Sequence, residues 1–322
     1  MSNDDFYPDK PELLERKPKN NIALTIFSIV LFISTFLFLF TDEIFFVFSV
    51  LIVLIIHEMG HFILMKRFNY KDVYMLFIPL MGAFVQGKKK QYRQKESLLV
   101  VLAGPLPGVI IGLVLLYLSM QYKAPWMIEL GLLFLLLNWI NLIPLDPLDG
   151  GQLFSQLIQK NQAFFSLLFS FISSLVLIAI GWYIGNWGLM IFGFVMGFRV
   201  RTLQKHYELR KEMDALGINY HQTYEQLSKR DYASIKELVV AQSTALKTFV
   251  ETVDQEESNP VVAEQVNNAL ISPVIKDANV LFKFVIILFW IIALLIPFVL
   301  LYIFADSIPT DYDWYFKILS GQ

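Results

Sequence analysis

"LIIHEMGHFIL", residues 54–64, sets His57, Glu58 and His61 inside an apolar run that extends from Ile44 to Met65. A run of this length reads as a membrane-crossing helix, because about 20 apolar residues span a hydrocarbon core about 30 Å thick. Ionisable groups at that depth cost several kcal/mol unless they are paired, metal-bound or turned to a wet cavity, so they mark a site. His57 and His61 are four residues apart, which puts both imidazoles on one helix face, about 6 Å apart at Cβ and able to converge on one metal ion. Glu58 follows the first histidine directly, the position from which a glutamate takes a proton from an activated water and returns it to a leaving amine. Gly60, between the histidines, lets a second backbone approach closely. His206 and His221 lie in polar surroundings and carry no such signal.

The rest of the composition agrees with a membrane protein. The chain is 56% hydrophobic and 17% charged, a combination rare in water-soluble domains. A formal net charge of −2 gives no reason to expect nucleic acid as a partner. Cysteine is absent, so disulfides and thiolate ligands are excluded and any metal site must use His, Asp or Glu. The polar, charged amino terminus is unlike a signal peptide.

Apolar runs near 22–40, 44–65, 98–120, 126–144, 163–184, 187–199 and 279–304 predict about seven transmembrane helices, the sixth being short. Lys and Arg collect before the first run, between the second and third, and after the sixth, whereas the intervening turns are nearly free of them. The amino terminus is therefore expected in the cytoplasm and the carboxyl terminus outside. In that topology His57 lies about 20 Å along its helix from the outer end, in the cytoplasmic half of the bilayer.

Two imidazoles do not complete a catalytic metal site, which needs a third protein ligand and an open position. "NWINLIPLDPLDGGQLF", residues 138–154, supplies carboxylates at the expected depth: Pro144 and Pro147 break the helix, and Asp146 and Asp149 follow on irregular backbone. Either aspartate answers the requirement.

At this point the chain resembles the site-2 proteases, intramembrane zinc metalloproteases. The resemblance rests on "HEMGH" at 57–61 and on "NLIPLDPLDGG" at 141–151, which is similar to the family's Asn-x-x-Pro-x-x-x-x-Asp-Gly signature. It implies His57, His61 and Asp149 as Zn2+ ligands, Glu58 as the catalytic glutamate, and Asn141 as a catalytic-site residue that holds substrate or the developing oxyanion. "MGAFV" at 81–85 is similar to the family's membrane-associated strand hairpin, which makes Gly82, Ala83 and Phe84 the expected substrate-binding segment. "AGPLPG" at 103–108 is similar to a Gly-rich segment opening the next span, with Pro107 and Gly108 standing where family members often have Asn.

The expectation is an all-α polytopic membrane protein, with a short strand hairpin between its second and third spans and a small helical cytosolic region. A cytosolic tail at 1–21 precedes a metalloprotease domain at 22–199 (core 44–155). A cytosolic helical region at 200–276, a final span at 277–304 and an outside tail at 305–322 follow. Its expected function is zinc-dependent hydrolysis of peptide bonds in or near transmembrane segments, in regulated intramembrane proteolysis or peptide clearance. The partners are then a transmembrane protein or peptide substrate and the lipid bilayer of, most simply, a bacterial cell. The rival readings are a proton- or ion-relay transporter and an inactive homologue that binds membrane clients. Relay transport calls for ionisable residues spread over several spans, whereas here they concentrate at the second and at the end of the fourth.

Overall fold

The computed structural model describes residues 7–13, 21–39, 44–79, 82–158, 162–185 and 187–304. The expected outside tail and most of the amino-terminal tail lie outside these residues. All seven apolar runs fall on helices. Five helical stretches are long and apolar enough to cross a membrane among the described residues: Ile44–Arg67, Gln94–Tyr122, Pro125–Leu142, Ala163–Tyr183 and Val280–Val299. The apolar part of α1 (Asn21–Leu39) is shorter, Ile22–Phe38.

Helix α2 (Ile44–Arg67) ends on Lys66 and Arg67, cations suited to the negative end of a helix dipole. Asn69 then takes a left-handed φ of 59°, and the Tyr70 amide returns to the Met65 carbonyl at 2.9 Å, a turn that stops the helix. The chain enters an antiparallel hairpin, β1 (Lys71–Ile78) and β2 (Gly82–Lys88), in which Leu76 faces Phe84 and Phe77 faces Ala83. Thr25 of α1 donates to the Met75 carbonyl at 2.7 Å, and Ser28 accepts from the Phe77 amide at 3.1 Å. Helix α1 thus covers the outer edge of β1. Residues opposite one another in an antiparallel ladder share the direction of their backbone groups, inward or outward. Val85 and Ala83, opposite Met75 and Phe77, therefore turn theirs to the outer edge of β2, which pairs with no strand among the described residues.

The third expected span is two helices, α3 (Gln94–Ala103) and α4 (Pro105–Tyr122), following a two-residue β3 (Tyr92–Arg93). Pro105 has no amide hydrogen to give the Val101 carbonyl four residues back. Helix α5 (Pro125–Leu142) stops before Pro144, and α6 (Asp149–Leu157) is short. Helices α7 (Gln162–Tyr183) and α8 (Trp187–Ala215) form a hairpin in which Ser174 donates to the Gly193 carbonyl at 2.7 Å. The sixth apolar run is only the first part of α8. No Gly or Pro interrupts the helix between Arg199 and Ala215, so it continues without a break out of the apolar stretch.

The second half of α8 packs with α9 (Lys229–Gln242), α10 (Thr244–Thr252) and α11 (Gln255–Ala269) around Leu209, Met213, Ile235, Val262 and Val266. The polar region at 200–276 is therefore a helical unit with its own core. Lys10 reaches it from the amino terminus, donating to the carbonyls of Tyr224 at 2.7 Å and Leu227 at 2.6 Å. A two-residue β4 (Val274–Ile275) pairs in parallel with β3 before α12 (Val280–Phe304). Two indoles join α12 to α5: Trp290 donates to the Leu142 carbonyl at 2.8 Å and Trp139 to the Leu294 carbonyl at 2.9 Å. Each satisfies a buried polar handle while its ring fills apolar space.

Candidate metal centre

His57, Glu58 and His61 are buried on α2, as the apolar run requires, and α6 brings Asp149 to the two histidines. Asp149 Oδ2 lies 3.0 Å from His57 Nε2 and 3.2 Å from His61 Nε2, and the two Nε2 atoms are 3.3 Å apart. The other ring nitrogens reveal the protonation pattern. His61 Nδ1 is 2.8 Å from the Val100 carbonyl, which only accepts, so this nitrogen carries a proton. That carbonyl belongs to the last turn of α3. His57 Nδ1 is 2.8 Å from Asn138 Oδ1, while Asn138 Nδ2 donates to the Phe134 carbonyl at 2.7 Å, so Nδ1 donates here too. Neutral imidazoles in these tautomers present only lone pairs at Nε2.

With both imidazoles neutral, three acceptors point at one spot, and Asp149 Oδ2 is buried with no other hydrogen-bond donor. A cation resolves this. Ligand atoms on a tetrahedral zinc, with bonds of about 2.0–2.1 Å, sit roughly 3.3 Å apart. The observed 3.0–3.3 Å triangle is close to that spacing. Asp149 and Glu58 place two carboxyl groups in an apolar interior, where a divalent ion offsets whatever negative charge they carry. His57, His61 and Asp149 are one group of potential metal ligands on these grounds, and the donor set suits zinc.

Asp146, the alternative third ligand, is turned elsewhere: it is ion-paired to Arg199 at 2.9 Å and accepts from Ser170 at 2.7 Å. Asn141 is partly buried and donates to the Leu137 carbonyl at 3.0 Å. It is Asn138, one turn earlier and fully buried, that meets a histidine. The signal for Asn138 was present in the same quoted stretch, as a carboxamide inside an apolar span.

Close packing, rather than chain flexibility, explains the glycines of this region. A Cβ on Gly60 would lie 1.8 Å from the Ala103 carbonyl oxygen, and one on Gly104 would lie 2.2 Å from His61 Nε2. One on Gly108 would fall 2.0 Å from the amide nitrogen of Asn138. "AGPLPG" thus clears room for one histidine and for the partner of the other. Gly82, Ala83 and Phe84 lie on β2, whose Val85 backbone stands beside the Glu58 carboxyl group. The expected substrate segment and the expected general base are consequently neighbours.

Residues 45–129 match Peptidase family M50, so this chain carries a domain of the site-2 protease family. It is 32% identical to "Zinc metalloprotease MJ0392" of Methanocaldococcus jannaschii over 115 residues, 34% of this chain and 33% of that protein. It is 28% identical to "Stage IV sporulation protein FB" of Bacillus subtilis over 125 residues, 35% of this chain and 40% of that protein. The matched stretch thus spans about a third to two fifths of these relatives. A solved structure, "Site-2 Protease from Methanocaldococcus jannaschii", superposes with a TM-score of 0.43 at 24% identity, covering 55% of this chain and 86% of that one. With its apolar helices and this domain, the chain is an integral membrane protein.

Proposed function

We propose that the chain is a zinc-dependent intramembrane endopeptidase that cuts peptide bonds in or near transmembrane segments of membrane proteins. The observation that carries this reading is the convergence of three potential ligand atoms from His57, His61 and Asp149 beside a buried glutamate. Zinc held by this set supplies Lewis acidity, which makes a water nucleophilic at neutral pH and polarises a carbonyl. Glu58 takes the proton from that water at its carboxylate and passes it to the leaving amine. Asn138 and the Val100 carbonyl keep both imidazoles in the tautomer that leaves Nε2 free. Asn141, partly exposed, is the expected contact for substrate or oxyanion.

A helical substrate hides its peptide bonds, and an unwound one leaves polar groups without partners in lipid. The outer edge of β2 offers replacements, because the backbone groups of Ala83 point away from β1. A substrate strand paired there runs beside Glu58. The active site then lies in the cytoplasmic half of the bilayer, with the amino terminus cytoplasmic. A relay transporter calls for titratable groups along a path, whereas the described residues hold one compact group of potential ligands. An inactive client-binding homologue would be expected to lack Glu58 or a ligand.

The test is cleavage of a single-span reporter co-reconstituted in vesicles with wild type or Glu58→Gln. Wild type is expected to cut and the variant to retain zinc while losing about 10²-fold or more in rate. Equal cleavage by the two proteins would remove Glu58 from the mechanism.

A further inference from the structure

We propose that Arg199 is a positioning residue: by gripping Asp146 it fixes the 143–148 loop so that Asp149, and not Asp146, meets the two histidines. The inference rests on the metal-centre reading above. Arg199 Nε lies 2.9 Å from Asp146 Oδ2, and its Nη2 donates to Oδ1 at 3.2 Å, a two-point contact that a lysine cannot reproduce. Ser170 donates to Oδ2 at 2.7 Å, and the Asp146 amide donates to Ser173 Oγ at 3.0 Å. Both serines are buried on α7. Helices α7 and α8 therefore hold a loop that has little to hold itself. Pro144 and Pro147 remove two of its amide donors, and within it only Leu145 to Ile143 and Leu148 to Leu145 are bonded backbone to backbone.

The loop ends where α6 begins, at Asp149. Its position thus sets that of the third ligand. The grip has a second effect: Asp146 has the same donor chemistry as Asp149 three residues away, and an engaged carboxylate does not compete for the ion. An arginine on a distant helix thereby decides between two aspartates of equal chemistry.

The experiment follows zinc loss from the detergent-purified, zinc-loaded full chain to a chromogenic chelator. Arg199→Ala is expected to release zinc roughly tenfold faster than wild type, the lower end of what partners of metal ligands contribute. Arg199→Lys is expected between the two, and the exchanged pair Asp146→Arg/Arg199→Asp to recover much of the loss, as a defect unrelated to the ion pair would not. If Arg199→Ala does not fold, Ser170→Ala carries the test and is expected to release zinc faster than wild type. Release at the wild-type rate from a folded Arg199→Ala, or from Ser170→Ala in its place, would overturn this inference and leave the metal centre standing. A wild type that binds no zinc would overturn both.

Discussion

A histidine in a bilayer is useful only if something fixes which nitrogen carries its proton. Asn138 does this for His57, and its removal leaves both a free imidazole face and a cavity. Asn138→Ala is expected to weaken zinc binding by about 10- to 100-fold, read by competition with a fluorescent chelator. Gly104→Ala is expected to do more, because its methyl would stand 2.2 Å from the ligating nitrogen of His61 and the ring must move. Metal content of the purified variant checks this, with bound zinc expected to be lost. The histidine pair and Glu58 were legible in the sequence because an apolar run makes any ionisable group conspicuous. Asn138 was less so, since the signature points to Asn141, one helical turn away on the same helix. The signature at 141–151 singled out Asp149 over Asp146, but the partner that engages Asp146, Arg199, stands 53 residues away in sequence, and no local pattern announces it.

At the scale of elements, the hairpin is asymmetric: α1 occupies the edge of β1 and leaves that of β2 without a strand partner. Ala83 turns its amide to that edge, so proline there removes a donor for substrate without breaking a bond to β1. Ala83→Pro is expected to retain zinc and lower cleavage of the reporter at least tenfold, whereas an unchanged rate would mean that substrate does not pair with β2; that magnitude corresponds to about 1.4 kcal/mol of lost pairing. Hydropathy located the five candidate spans among the described residues to within a few residues, as lipid demands, but left two features unread. It placed the third span, one stretch at Gln94–Tyr122, but not its division into α3 and α4, since a helix broken at Gly104 and Pro105 is as apolar as an intact one. It also ended the sixth run at 199, since polarity marks the end of the apolar stretch and not of α8.

The whole molecule holds two kinds of interior. One is the membrane bundle around the metal centre, and the other is the helical unit built on Met213, Ile235, Val262 and Val266, whose helical periodicity was legible in "ASIKELVVAQSTALKTFVETV" but whose partners were not. Ile235 is fully buried there, so Ile235→Ala is expected to destabilise that unit by about 2–5 kcal/mol, measured as lost hydrogen-exchange protection in α9–α11 with zinc content unchanged. The contact between Lys90 and Glu225 is too exposed to hold the unit in place, being worth about 0.2–1 kcal/mol. The β3–β4 pairing ties the backbone that follows the unit to the segment before α3, and the Lys10 ammonium binds two carbonyls inside it. Everything argued for the site depends on one ion. Elemental analysis of the detergent-purified wild type beside Asp149→Ala tests it most directly. About one zinc per chain in the wild type, lost in the variant, is the predicted result. Zinc retained without Asp149, or none in a folded wild type supplied with the metal, would contradict it.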